Sequence, residues 1–402
     1  MPAPPPVLST PVLSTLVLQP TPFCNIACSY CYLPNRSDRS VMSRETIAAT
    51  FRRVFESGWA APELNVIWHA GEPLVLPVEW YREAFAIAAS GQPQGVQLRH
   101  AVQTNGTLIT PAWCALFREH QVGVGVSIDG PRALHDRHRR TRGGAGTFDK
   151  TIAGIRLLRQ EQIDFHVITV LSAASLDDPE GLVDFYLSEG IDQVCFNVEE
   201  SEGEHRSGLL AGAGVRERFA AFLDRFWRAA RRRGAFRLIR EIDLMLPRIM
   251  RPDGTVMMNE QVEPLGMLNV ACNGDASSFS PELLGLKNAA YDDFIIGNVH
   301  RHALAEMLAS APMRRMAEDI AAGVEACRRG CEYFSVCGGG APVNKLTERG
   351  SFASDRTLFC ELTQMVPVDL ILAALERFDP LLQTAGEPTP QTVRRTQCHA
   401  AE

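Results

Sequence analysis

The sequence predicts an α/β fold: a partial (β/α)6 TIM-like barrel followed by a smaller C-terminal domain. Three observations carry it. Short apolar runs alternate six times with amphipathic segments over the first 230 residues, and polar, turn-forming residues close most of the runs. The alternation then stops after Arg233-Gly234, and a second group of cysteines follows. Repeated β-α units imply parallel strands with helices packed outside. Six units fall short of the eight in a closed barrel, so the sheet is expected to stay open on one side.

The strand candidates are residues 13–19, 64–69, 97–103, 123–128, 165–171 and 193–198. Between them apolar residues recur at helical spacing, as in Thr46, Ala49, Phe51, Val54 and Phe55, or Ile152, Ile155 and Leu158. The same spacing recurs in Trp80, Phe85 and Ala88, and in Leu182, Phe185 and Leu187. Ser43 with Thr46, Thr110-Pro111 and Asp178-Pro179 read as helix starts. Strands end in Gln19-Pro20-Thr21, His69-Ala70-Gly71-Glu72-Pro73, Gln103-Thr104-Asn105-Gly106, Ser127-Ile128-Asp129-Gly130 and Asn197-Val198-Glu199-Glu200. Loops at such ends build the active site of parallel α/β folds. Asn-Gly and Asp-Gly are also ordinary turns, and it is the five loops together that favour a site. The expected organisation is a mobile segment at 1–12, the barrel at 13–235, the second domain at 236–378 and a mobile tail at 379–402.

Composition narrows the function. The chain has 402 residues, 46% of them apolar and 22% charged, with a net charge of −7. That apolar fraction argues against disorder, and the acidic balance against a nucleic-acid partner. Five prolines interrupt the first twelve residues, so a secretory signal is not expected. No uninterrupted run of 18 apolar residues suggests a membrane span, and a reducing cytoplasmic setting is expected. Eleven cysteines are unevenly placed, three within 24–31 and four within 327–360. In a chain this long such clusters read as metal or iron–sulfur ligands rather than disulfides.

Cys24, Cys28 and Cys31 follow the first strand in a Cys-x3-Cys-x2-Cys spacing. A loop of this size lets three thiolates converge on one face of a cubane cluster and leaves one iron open for a chelator. Tetrahedral zinc would need a fourth ligand, such as His69 or a distant cysteine. With the aromatic Tyr30 before the last cysteine, the motif resembles the signature of radical S-adenosylmethionine enzymes. His69-Ala70-Gly71-Glu72-Pro73 resembles the Gly-Gly-Glu-Pro motif of that family, with Ala70 in its first position. The resemblance implies a catalytic 4Fe–4S cluster and S-adenosylmethionine, reductively split to a 5′-deoxyadenosyl radical. It further implies cofactor contacts from Tyr30, Ala70, Gly71, Glu72, Pro73, Asn105, Ser127 and Asp129. A basic loop at 132–142, ending in Arg142, is a candidate for the cofactor carboxylate or an acidic peptide, or simply a solvated surface.

Cys327, Cys331, Cys337 and Cys360 read alone as a zinc site. After such a barrel they resemble a SPASM domain, which holds auxiliary iron–sulfur clusters, and imply one auxiliary 4Fe–4S cluster. A second would draw on Cys272 plus cysteines that Ala341 and residues 286–290 do not supply, so Cys272 is an orphan or a replacement for Cys327. Cys114 and Cys195 read as buried hydrophobes and Cys398 as a bystander in the tail.

Several segments, among them Phe279-Ser280-Pro281-Glu282-Leu283-Leu284-Gly285 and the run from Cys337 to Lys345, resemble peptide maturases of the cyclophane-forming GrrM/OscB type. That resemblance implies Cβ hydrogen abstraction in a ribosomally made precursor peptide and a C–C bond to a nearby aromatic ring. Thioether or formylglycine formation is the alternative, and an iron–sulfur electron carrier without turnover a further one. The implied partners are the precursor peptide and a one-electron reductant such as flavodoxin or ferredoxin, with no membrane. Too few residues precede the first strand for a leader-binding domain there. Glu199, Glu200 and Glu202, at the sixth strand end, are candidate proton acceptors.

Overall fold

Runs rich in Val, Leu and Ile, buried on both faces, form the parallel sheet that the alternation implies. In this computed structural model, which describes residues 11–379 except 202–204, 206, 235 and 252–254, the six expected strands are all present. They are β1 (Leu13–Leu18), β2 (Ala60–Trp68), β3 (Gln97–Thr104), β4 (Gly123–Ser127), β5 (Phe165–Leu171) and β6 (Gln193–Val198). They lie side by side in chain order, every pair parallel.

The segment after residue 236 adds strands to both edges. β7 (Leu238–Ile239) pairs parallel with β6, and β8 (Met267–Val270) pairs parallel with β1. β9 (Asp275–Ser278) and β10 (Gly297–Asn298) then continue outward antiparallel. The sheet therefore has ten strands, and its two ends, β7 and β10, are not joined. An unpaired β1 would present a row of free backbone groups, and β8 covers it.

Helices α1 (Arg44–Ser57), α2 (Val78–Ser90), α3 (Pro111–Glu119), α4 (Arg132–His138), α5 (Phe148–Gln160), α6 (Pro179–Ser188) and α7 (Val215–Arg233) fill the crossovers. Local chemistry sets their starts. Ser43 accepts from the Thr46 amide, Asp178 accepts from the Gly181 amide, and Pro111 opens α3. Trp68 of β2 is fully buried against Trp80, Tyr81 and Phe85 of α2, and Phe196 of β6 against Phe222 and Phe226 of α7. Arg231 closes α7 in a buried ion pair with Asp243.

The helical run Leu358–Glu376 is long and apolar enough to cross a membrane by length and composition. It packs on α7, with Leu362, Val366 and Ile371 buried. Its Asp369 pairs with Arg216 at 3.1 Å and accepts from the Tyr333 hydroxyl at 2.6 Å.

Candidate active site

The three-cysteine loop leaves β1 and is fixed at several points. The Cys24 amide donates to the Arg36 carbonyl at 3.2 Å, and the Arg142 guanidinium donates to the Cys24 and Arg36 carbonyls, each at 2.8 Å. Residues Ile26–Cys28 pair antiparallel with Arg139–Thr141, placing Cys28 opposite Arg139. Cys24, Cys28 and Cys31 all line one cavity of about 790 Å³, open mouth included, at the C-terminal strand ends. Burial, with the Glu72 carboxylate beside it, pushes the Cys24 thiol up to about 12, and burial drives Cys28 higher still. Such thiols hold their protons unless a metal centre displaces them, and three on one wall suit a cluster. Among the described residues no three Cys, His, Asp or Glu side chains are drawn together tightly enough for a single metal ion.

The second motif braces the first. Gly71 has φ +58°, and a Cβ there would lie 2.5 Å from the carbonyl oxygens of both Phe23 and Thr21. Ala70, also at positive φ (73°), occupies a left-handed conformation without being glycine. The Glu72 amide donates to the Phe23 carbonyl at 2.9 Å. Its carboxylate accepts from the Leu74 amide (3.0 Å), the Thr104 hydroxyl (2.6 Å) and the Asn105 amide (2.7 Å). Glu72 thus ties the cysteine loop to the end of β3, and Pro73 opens the turn that follows. His69 lies in the cavity wall with Nε2 3.2 Å from the Tyr32 hydroxyl, and burial lowers its pKa to about 4.

The two Asp129 carboxylate oxygens each accept from Arg139 Nε at 3.1 Å, and Asp129 also accepts from the Tyr30 hydroxyl at 2.6 Å and the Val170 amide at 3.2 Å. Tyr30 and Arg139 line the cavity, and Asp129 stands behind them. Asn105 donates to the Asn25 side chain at 2.8 Å, and Ser127 accepts from Gln103 at 3.0 Å. Of the expected cofactor contacts, Tyr30, Gly71, Glu72, Asn105 and Ser127 line the cavity, while Ala70, Pro73, Asp129 and Arg142 do not. Arg139 and Gln103 were not singled out by the sequence. Five arginines fall between 132 and 142, and only the pairing with Cys28 turns Arg139 inward.

The two glutamates that follow β6 diverge. Glu200 lines the cavity with Val198, two residues before it, whereas Glu199 points to the other side. There Glu199 accepts from the Leu209 amide at 3.3 Å and sits 3.0 Å from His205 Nε2. Glu200 is held by the Asn344 side-chain amide. Burial and the neighbouring Glu282 carboxylate raise its pKa well above the usual carboxylate range, and burial does the same to Glu282. Glu202 lies outside the described residues.

The Radical SAM superfamily profile matches residues 18–186. An uncharacterised Synechocystis protein is 36% identical over 365 residues, 90% of this chain and 92% of that one. The chain belongs to the Radical SAM superfamily. A serine-type anaerobic sulfatase-maturating enzyme of Klebsiella aerogenes is 36% identical over 229 residues, 56% of each protein, so the match spans little more than half of that relative. The solved structure of native anSMEcpe with bound AdoMet and Kp18Cys peptide superposes with a TM-score of 0.73 at 20% identity, covering 92% of this chain and 98% of that one. This likeness extends the shared fold over the C-terminal segment. Membership implies a 4Fe–4S cluster and S-adenosylmethionine, and the cavity wall of Cys24, Cys28 and Cys31 supplies the thiol donors that the cluster requires.

The second cysteine group also converges. Cys327 lies in the last turn of the helix Ala311–Gly330, Cys331 caps it, Cys337 ends Phe334–Cys337 and Cys360 lies in Leu358–Cys360. Burial raises the thiols of Cys337 and Cys360, and the neighbouring Cys327 and Cys331 add to it. Glycines 338–340 all have positive φ, and the nearby Gly339 and Gly340 amides favour a thiolate at Cys337. Cys272 instead feels Asp38 and Asp275. Cys114 and Cys195 are fully buried in α3 and β6, as small hydrophobes, and Cys398 lies outside the described residues.

Proposed function

We propose that the protein modifies a ribosomally synthesised precursor peptide by abstracting a Cβ hydrogen and joining that carbon to a nearby aromatic ring. The observation that carries this reading is the shared cavity, in which the three-cysteine loop and the Glu200 carboxyl face one space. A cluster on Cys24, Cys28 and Cys31, with S-adenosylmethionine, supplies a carbon radical strong enough to take a hydrogen from an unactivated Cβ. The protein supplies the rest. Gly71 and Glu72 fix the cysteine loop, Tyr30 and Arg139 wall the cavity, and His69 stays neutral beside Tyr32. Glu200 is the group to accept the ring proton when aromaticity returns, because a raised carboxyl pKa makes its conjugate base a competent acceptor. Cys327, Cys331, Cys337 and Cys360 are assigned to one auxiliary 4Fe–4S cluster, which fits a reaction that must dispose of an electron.

A second reading, oxidation of a Ser or Cys to formylglycine, is favoured by the similarity to the Klebsiella sulfatase-maturating enzyme. Anaerobic co-expression with candidate precursor peptides that carry both an aromatic residue and a serine separates the two. Crosslinking removes two hydrogens and suppresses backbone fragment ions between the joined residues. Serine oxidation removes the same mass but leaves a hydrazine-reactive aldehyde. A peptide with normal fragmentation and a reactive aldehyde would overturn the crosslinking reading, and absence of 5′-deoxyadenosine would overturn both.

A further inference from the structure

Lys345 is an unusual residue to find inside a protein. It lies in the helix Pro342–Arg349 and is only 3% exposed. Its Nζ donates to the Cys327 sulfur at 3.3 Å, and among the described residues it forms no ion pair with a carboxylate. Room for the ammonium comes from Gly323, since a Cβ there would stand 3.2 Å from Nζ. Burying an ammonium requires a compensating anion. The atom that Nζ contacts is sulfur, and a neutral thiol does not supply the charge.

Two of the other three sulfurs, those of Cys337 and Cys360, also have polar groups beside them. Cys360 accepts from the Thr357 amide at 3.3 Å, and the Gly339 and Gly340 amides lie close enough to Cys337 to favour its thiolate. The half-buried Arg248 adds a second positive charge near Cys337. A carboxylate also acts on this group, Asp355 on Cys327, against the two positive groups Lys345 and Arg248, and the balance at the first cysteine group is different. Glu72 stands beside Cys24 and Asp129 near Cys28, so the arginines there are offset by carboxylates. Hydrogen bonds to cluster sulfurs and nearby positive charge stabilise the reduced, more negative state and raise the reduction potential.

We propose that Lys345 is a positioning residue that raises the reduction potential of an iron–sulfur cluster held by Cys327, Cys331, Cys337 and Cys360, suiting it to accept an electron. The inference rests on the assignment of those four cysteines to a cluster. Its test uses the full chain with Cys24, Cys28 and Cys31 changed to alanine, reconstituted anaerobically, so that only the second group reports. Iron and sulfide are counted, and the midpoint potential is followed by electron paramagnetic resonance.

Lys345→Met is expected to keep about four irons per chain and to make reduction at least tenfold less favourable, about 59 mV lower for one electron. An unchanged potential with iron retained overturns the role of Lys345 and leaves the cluster assignment standing. If Lys345→Met does not retain iron, Lys345→Gln decides, because it keeps an N–H donor and removes the charge. A lowered potential in that variant supports the proposal, and an unchanged one overturns it. Zinc, or no metal, in the parent triple variant overturns the cluster assignment and the inference with it.

Discussion

Ala70 and Gly71 sit at adjacent left-handed positions, yet only one of them is glycine, which sets up two opposite substitutions. At Ala70 the φ of 73° strains an L-residue, so Ala70→Gly is expected to stabilise the fold by up to about 1 kcal/mol once the extra freedom of glycine in the unfolded chain is counted. At Gly71 the neighbours are backbone carbonyls of the cysteine loop, which yield only if the loop itself moves. Gly71→Ala is expected to lower both the thermal midpoint and the iron retained after reconstitution. Thermal unfolding with iron analysis checks the pair, and retention of full iron by Gly71→Ala would contradict the bracing role.

Glu200 and Glu282 make a pH prediction at the same scale. Both carboxyls are raised in the folded state by burial. A raised carboxyl pKa means that the folded state holds the proton more tightly than the unfolded chain, where glutamate titrates near about 4.3. The stability they contribute is fully present below that value and is lost as pH rises through the raised folded values. Glu200→Gln carries no such titration and should unfold with a shallower loss of stability toward alkaline pH than the parent. Urea unfolding from pH 5 to pH 9 measures it, and parallel profiles for the two proteins would rule the account out.

Among the elements, the small antiparallel pair between the cysteine loop and residues 139–141 does the most to shape the site. It brings Arg139 onto Asp129, and both are buried. Removing one partner leaves the other charge in a medium that does not solvate it, so Asp129→Asn is expected to cost about 3–5 kcal/mol. Chemical denaturation measures this, and a loss under 1 kcal/mol would mean that water reaches Arg139. The element shows what sequence reading can and cannot reach. Helix starts such as Ser43 and Asp178 were legible because a cap acts within three or four residues. The choice of Arg139 over Arg142 was not, since it depends on a strand partner more than a hundred residues away. The choice of Glu200 over Glu199 was within reach, because the alternation of β6 carried two residues past its end puts Glu200 on the side of Val198.

At the scale of the whole molecule, the six central strands were visible as apolar runs, but the sheet edges were not. β7 has two residues, β8 has four, and neither carries enough alternation to announce a strand. β8 finds β1 across some 250 residues of chain, and that pairing makes the C-terminal segment part of the barrel sheet. Leu16, Val17 and Leu18 of β1 are fully buried with β8 in place. A chain ending at residue 235 would expose this edge, along with the face of α7 on which Leu358–Glu376 packs. Such a fragment is expected to aggregate, through strand addition at the bare β1 edge. Supplying residues 236–379 as a separate chain during expression should restore part of the soluble yield, by returning β8 to its place. Size-exclusion chromatography of the fragment, alone and co-expressed, is the measurement. A monomeric, cooperatively unfolding fragment would mean that β1 is stable as an edge, and that the C-terminal segment serves the auxiliary cysteines without supporting the sheet.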